Sequence, residues 1–101
     1  MERRLKLQAI LEELLGADNV YFQPPESLRI EYPCIIYRWD TGDTQFADDE
    51  PYIFMRRYQI TVIDRNPDSA IPDKIRNLPR CIMDRTYVSD NLNHYIFNIY
   101  F

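Results

Sequence analysis

Residues 40 to 51 read DTGDTQFADDEP and place five carboxylates, Asp40, Asp43, Asp48, Asp49 and Glu50, within twelve positions. Acids at that density suggest three kinds of chemistry. Two carboxylates held about 3 Å apart share one proton, because both cannot ionise together, and such a pair can act as acid and base. Carboxylate oxygens can also surround a hard cation such as calcium or magnesium. Third, a charged loop with an apolar residue in its middle, here Phe46, can be read by another protein.

The surrounding sequence weakens the first two. Asp40-Thr41-Gly42 after an apolar stretch has the form of an aspartic protease triplet, and retroviral-type proteases of about this length obtain their second Asp by dimerising. Those proteases also carry a Gly-rich flap and an apolar-apolar-Gly triplet behind the site. With only Gly16 and Gly42 in the chain, neither can be built, and Asp43 stands where a small Ala or Ser is usual. A calcium loop starting at Asp40 would need Gly at its sixth position and Glu at its twelfth, where Gln45 and Pro51 occur. Asp48-Asp49-Glu50 could face a hydrated magnesium, but adjacent acids in a loop point in different directions and are common on solvated surfaces.

His94 is the single histidine. It has no Cys, Ser or second His at a recognisable spacing and shares a strand face with Ile96, so it reads as a structural hydrogen-bonding residue and not a general base. The scarcity of glycine also excludes phosphate-cradling and dinucleotide loops, which need close backbone approach. The expectation is a protein with no catalytic, cofactor-binding or metal-binding residues. Asp40, Asp43, Phe46, Asp48, Asp49 and Glu50 form its partner-binding loop. A small acid-dependent hydrolase using Asp40 and its neighbours is the alternative.

Composition narrows the partners. The 101 residues suit a single domain, 1–101, and the balance of 46% hydrophobic to 28% charged residues supports a folded core. The net charge is −4, and no run of Lys or Arg exceeds two, which disfavours sequence-specific nucleic-acid binding. Cys34 and Cys81 have apolar neighbours and no C-x-x-C spacing, so both read as buried free thiols of a reducing compartment. The opening MERRLKLQAILEELLG is basic like a signal peptide, but Lys6, Gln8, Glu12 and Glu13 interrupt any apolar region. No stretch approaches the ~20 apolar residues of a membrane span, so no membrane partner is expected.

Periodicity supplies the scaffold. Leu7, Ile10, Leu11 and Leu14 share one helical face, and Gly16 can end that helix, giving a helix over Arg3 to Leu15. NVYFQ, before Pro24-Pro25, is a short strand. Cys34 to Trp39 is apolar enough for a strand covered on both faces. In MRRYQITVID, Tyr58, Ile60 and Val62 alternate with Arg57, Gln59 and Thr61, the pattern of a half-buried strand. These two strands are expected to pair as an antiparallel hairpin with residues 40 to 52 as the connection, a loop long enough to suggest function. NPDSAIPDKIRNLP reads as a second helix capped by Asp68 or Ser69, with Ile71, Ile75 and Leu78 on one face. CIMDRTYV is a strand, and NHYIFNIYF is a last one, expected to lie at a sheet edge. The fold class is α+β, a mainly antiparallel sheet (a mixed one being the alternative) with two helices on one face.

Three stretches, YPCIIYRW, RRYQITVIDRNPDSAIPDKIRNLPRC and DRTYVSDNLNHYIFNIYF, resemble small structural proteins of bacteriophage and prophage morphogenesis modules. The likeness lies near the tail-completion, or tail-terminator, proteins of long-tailed phages and spans Tyr32 to Phe101. YQITVIDRNPDS and DNLNH are its most distinctive words. It implies a tail-terminator-like α+β subunit that joins copies of itself in a ring, commonly a hexamer. Such a ring caps the tail tube and meets the head connector in a virion assembled in the bacterial cytoplasm. The pattern describes no catalytic residues, so none is carried over. A head-completion or head–tail adaptor protein of the same module is the alternative. In this setting the acidic loop would meet a tail or connector protein, or would face the lumen and repel DNA phosphates.

Overall fold

The structure, a computed structural model, describes residues 2–40 and 56–101. Its elements are α1 (Glu2–Leu15), β1 (Val20–Phe22), β2 (Cys34–Trp39), β3 (Arg57–Asp64), α2 (Ile71–Arg76), β4 (Cys81–Ser89) and β5 (Leu92–Tyr100). The five strands form one sheet in the order β1-β2-β3-β5-β4. β2 and β3 pair antiparallel, as do β3 and β5, and β5 and β4. β1 runs parallel to β2, so the sheet is mixed. A parallel neighbour needs a return connection, and residues 23–33 supply it.

α1 lies against the sheet through Leu7 and Leu11, both fully buried, with Leu14 and Leu15 packed beside them. The helix stops at Gly16, whose φ of +78° is the left-handed turn that glycine enters without a Cβ penalty. The Gly16 amide still donates to the Glu12 carbonyl at 2.9 Å, closing the last turn. α2 adds Ile75 to the same cluster. The strands contribute Val20, Ile35, Tyr37, Tyr58, Ile60, Val62, Phe97 and Ile99. Register explains this set, since Tyr37 faces Ile60, Ile60 faces Phe97, and Tyr58 faces Ile99 across the ladders. Both helices therefore serve one face of the sheet.

Four local expectations change. The last strand is interior, between β3 and β4, and the sheet edges are β1 and β4. The physical reason is apolarity on both faces: Phe97 and Ile99 are buried toward the helices and Ile96 toward the other side. β4, exposed at every residue except Cys81 and Met83, tolerates the edge. Second, β2 is covered on both faces only at its start. Cys34, Ile35 and Tyr37 are buried, Ile36 is half-buried, and Arg38 and Trp39 are exposed. Third, α2 is preceded by Ala70 in the cap position, without a side-chain cap bond. Ser69 instead accepts the Ile71 amide from two residues upstream, at 3.3 Å. Fourth, Cys34 is buried as expected, but Cys81 is only half-buried.

β4 and β5 form a hairpin whose ends, Ser89 and Leu92, pair across Asp90-Asn91. Both turn residues have positive φ, 54° and 63°, the geometry that matches the twist of two adjoining strands. Asp and Asn tolerate it better than other residues with a Cβ.

Candidate functional site

Of the residues assigned to partner binding, Asp40 is described. Asp43, Phe46, Asp48, Asp49 and Glu50 lie outside the described residues. Asp40 follows β2 directly, and its amide donates to the Arg57 carbonyl at 2.9 Å, continuing the β2–β3 ladder by one bond. Its carboxylate Oδ2 sits 3.2 Å from Arg57 Nε, with both side chains about four-fifths buried. The partner of this acid is thus a cation. Among the described residues no three His, Cys, Asp or Glu side chains gather where they could hold a metal ion.

The surface beside Asp40 was not evident from the sequence. Trp39, Asp40, Arg56 and Arg57 line a cleft of about 170 Å³. The Arg56 guanidinium lies 4.3 Å from the centroid of the Trp39 ring, within the range for cation–π attraction. Trp39 nonetheless remains 44% exposed. The acids drew the reading of this segment, yet the aromatic ring and the paired arginines flank it on either side. Only antiparallel pairing of β2 with β3 brings them together, and the available signal was a tryptophan ending one strand and Arg56-Arg57 opening the next.

A second cleft, of about 240 Å³, is lined by Arg3, Lys6, Arg80 and Phe101. Phe101 connects the two, exchanging backbone hydrogen bonds with Arg56 in both directions, at 2.9 and 3.1 Å. Arg80 is held by donating from Nε to the Tyr100 carbonyl at 3.2 Å. Basic side chains from α1, from the start of β3 and from the turn before β4 therefore collect at one end of the sheet. The acidic segment leaves from that same end. It holds four of the sixteen acids after Asp40 and no base, so twelve acids remain against twelve Lys and Arg elsewhere. The charge of −4 resides in the segment, and its attachment point is locally positive. Clefts of these sizes fall below the several hundred Å³ usual for small-molecule sites and fit one side chain of a protein partner better.

His94 and the two cysteines lie within strands of the sheet. His94 Nδ1 lies 3.1 Å from the Leu92 carbonyl, a contact that a protonated Nδ1 satisfies. Its ring stacks on Tyr87, with centroids 4.5 Å apart and planes within 9°. Burial pushes the Cys34 thiol up to about 12, with the nearby Asp64 charge adding to the effect, and burial alone pushes Cys81 up to about 11. Both thiols are free and held protonated. No helix among the described residues is long and apolar enough to cross a membrane. The chain matches no family model, no curated protein and no solved structure.

Proposed function

We propose that the chain is a virion assembly protein, a ring subunit of the tail-completion type that works at the head–tail joint and acts by contact, without catalysis. The observation that carries this reading is the Trp39–Arg56 pair at the root of the acidic segment. Tryptophan and arginine dominate the binding energy of protein interfaces when they are presented rigidly, and here both lie at the ends of paired strands. The resemblance of Tyr32 to Phe101 to tail-completion proteins supplies the setting. The α+β subunit also supports it, because at the described end of its sheet Trp39 stays exposed to neighbours. The partners are copies of this chain, the tail tube and the head connector.

The test is assembly. Purified protein mixed with tail tubes that lack their terminal ring is expected to cap them in electron micrographs. Trp39→Ala should keep its circular dichroism and melting temperature yet bind the tube at least about tenfold more weakly. The reading fails if Trp39→Ala caps tubes as well as the native chain. Peptide or nucleic-acid hydrolysis that disappears in Asp40→Asn while capping persists would assign the protein to the hydrolases.

A further inference from the structure

The sheet has two edges of very different character. β1 is three residues long, and its Val20 carbonyl is already taken by Gln8 Nε2 at 3.0 Å. β4 is nine residues long and, among the described residues, pairs on one side only, with β5. It carries the two most exposed large apolar side chains among the described residues, Ile82 at 71% and Val88 at 68%, with Tyr87 at 44%. A long apolar edge is a template for another strand.

The irregularity in β4 selects which strand. Met83 pairs with Phe97 and Arg85 with Ile96, so Asp84 is an extra residue in a bulge. Side chains before and after it are therefore out of phase with ordinary alternation. Ile82, Arg85 and Tyr87 lie opposite Asn98, Ile96 and His94 on the face away from the helices. Cys81, Met83, Thr86 and Val88 lie on the helix side, opposite Ile99, Phe97, Tyr95 and Asn93.

We infer that β4 pairs with β4 of a second copy, antiparallel, about a two-fold axis passing between Asp84 and Arg85. In this register Ile82 meets the partner's Tyr87, Met83 meets the partner's Thr86 and Cys81 meets the partner's Val88. Each pair lies on a common face. Asp84 meets the partner's Arg85, and symmetry makes that ion pair twice. Within its own chain Asp84 has no ion-pair partner among the described residues. A slip of one residue sets Ile82 against Val88 and Met83 against Tyr87, across faces, which a pleated sheet does not permit. A slip of two leaves Asp84 and Arg85 opposite uncharged residues. A bulge usually spoils an edge for pairing. Here, because both copies carry it at the same place, it makes the strand complementary to itself. Such an isologous contact differs from the head-to-tail contact of a ring and does not depend on the ring reading.

Charge reversal gives the test. The native chain is expected to sediment as a monomer–dimer equilibrium at micromolar to submillimolar concentration. Arg85→Asp places like charges opposite each other twice, as does Asp84→Arg, and each should weaken the dimer by about tenfold or more. An equimolar mixture of the two variants restores both opposite-charge pairs in a heterodimer, and Asp84→Arg/Arg85→Asp restores them in a homodimer. Both should associate within about threefold of the native chain. Since all four residues of the two pairs are exposed, melting temperatures of the diluted variants serve as the folding control. A strictly monomeric native chain, a dimer indifferent to either reversal, or a mixture no tighter than its components would each overturn the inference. Failure to cap tail tubes would leave it untouched.

Discussion

The hydroxyl of Tyr37, on β2, donates to Oε1 of Gln8, on α1, at 2.5 Å, and Arg4 Nη1 donates to the same hydroxyl at 3.2 Å. Gln8 Nε2 in turn reaches the Val20 carbonyl at 3.0 Å and Glu12 Oε2 at 3.1 Å. One glutamine thus ties the helix to two strands through groups withdrawn from water. Burial raises the Tyr37 pKa, while the hydrogen bond and charge of Arg4 act against that rise. The hydroxyl therefore stays protonated and can donate.

Replacing Gln8 with Leu removes the acceptor for Tyr37 and the donor for Val20 together. Chemical denaturation should show a loss of about 1–3 kcal/mol, because buried polar groups would be left unpaired. Tyr37→Phe should cost less, about 1 kcal/mol, since it deletes its own polar atom along with the bond. Undiminished stability in Gln8→Leu would show that the link contributes nothing.

Ile60 and Ile82 are the same residue in opposite settings, at 0% and 71% exposure. Ile60→Ala opens a cavity among Tyr37, Phe97 and the helices and should cost about 2–5 kcal/mol. Ile82→Ala, measured at concentrations where the chain is monomeric, should stay within about 0.5 kcal/mol of the native chain. Equal losses on urea titration would mean that β4 is covered within a single chain.

Gly16 tests backbone strain in isolation. A Cβ built there meets nothing within 4 Å, yet φ is +78°. Gly16→Ala should therefore destabilise by about 1 kcal/mol without any clash, and Gly16→Asn by less. An alanine variant that melts with the native chain would show that the turn relaxes to negative φ.

The thiols predict the alkaline limb of stability. Cys34 rises from 9.0 to about 12 and Cys81 from 9.0 to about 11, so the folded chain holds these protons more tightly than the unfolded one. Their contribution is complete below pH 9 and is lost as pH rises from 9 through 11 toward 12. Across that window the native chain should lose stability more steeply than Cys34→Ala. Parallel curves would sink the assignment. At neutral pH both thiols should react with a disulfide reagent roughly a hundredfold more slowly than in denaturant.

Much of the local structure was legible because it depends on spacing along the chain. The four-and-three spacing of leucines, with Gly16 behind them, marks α1 and its end. Alternation of Tyr58, Ile60 and Val62 with polar residues marks β3 and names its core face, and the 2–3 hairpin follows from two apolar runs joined by a polar connection. The alternation in β5 likewise assigned Phe97 and Ile99 to one face and His94 and Ile96 to the other. Periodicity reports which side of an element is apolar, and that is a property of the residues themselves.

Beyond the pairing of β2 with β3, what the sequence alone could not decide is which strand lies beside which. β4 and β5 are alike in length, nine residues each, partly apolar and near the end of the chain, and the alternation of β5 alone suggested an edge where the sheet has its interior. Their places are settled by competition for burial: β5, apolar on both faces, takes the interior, and β4 is left outside. The parallel run of β1 and the bulge at Asp84 are likewise products of pairing. The site shows the same division. The density of acids after Trp39 is visible in the chain, but the meeting of Trp39 with Arg56, and of Asp40 with Arg57, exists only once register brings residues 17 positions apart to within a few ångströms. Composition and spacing choose the faces, and long-range pairing chooses the neighbours, because only in the folded sheet do strands compete for the same dry positions.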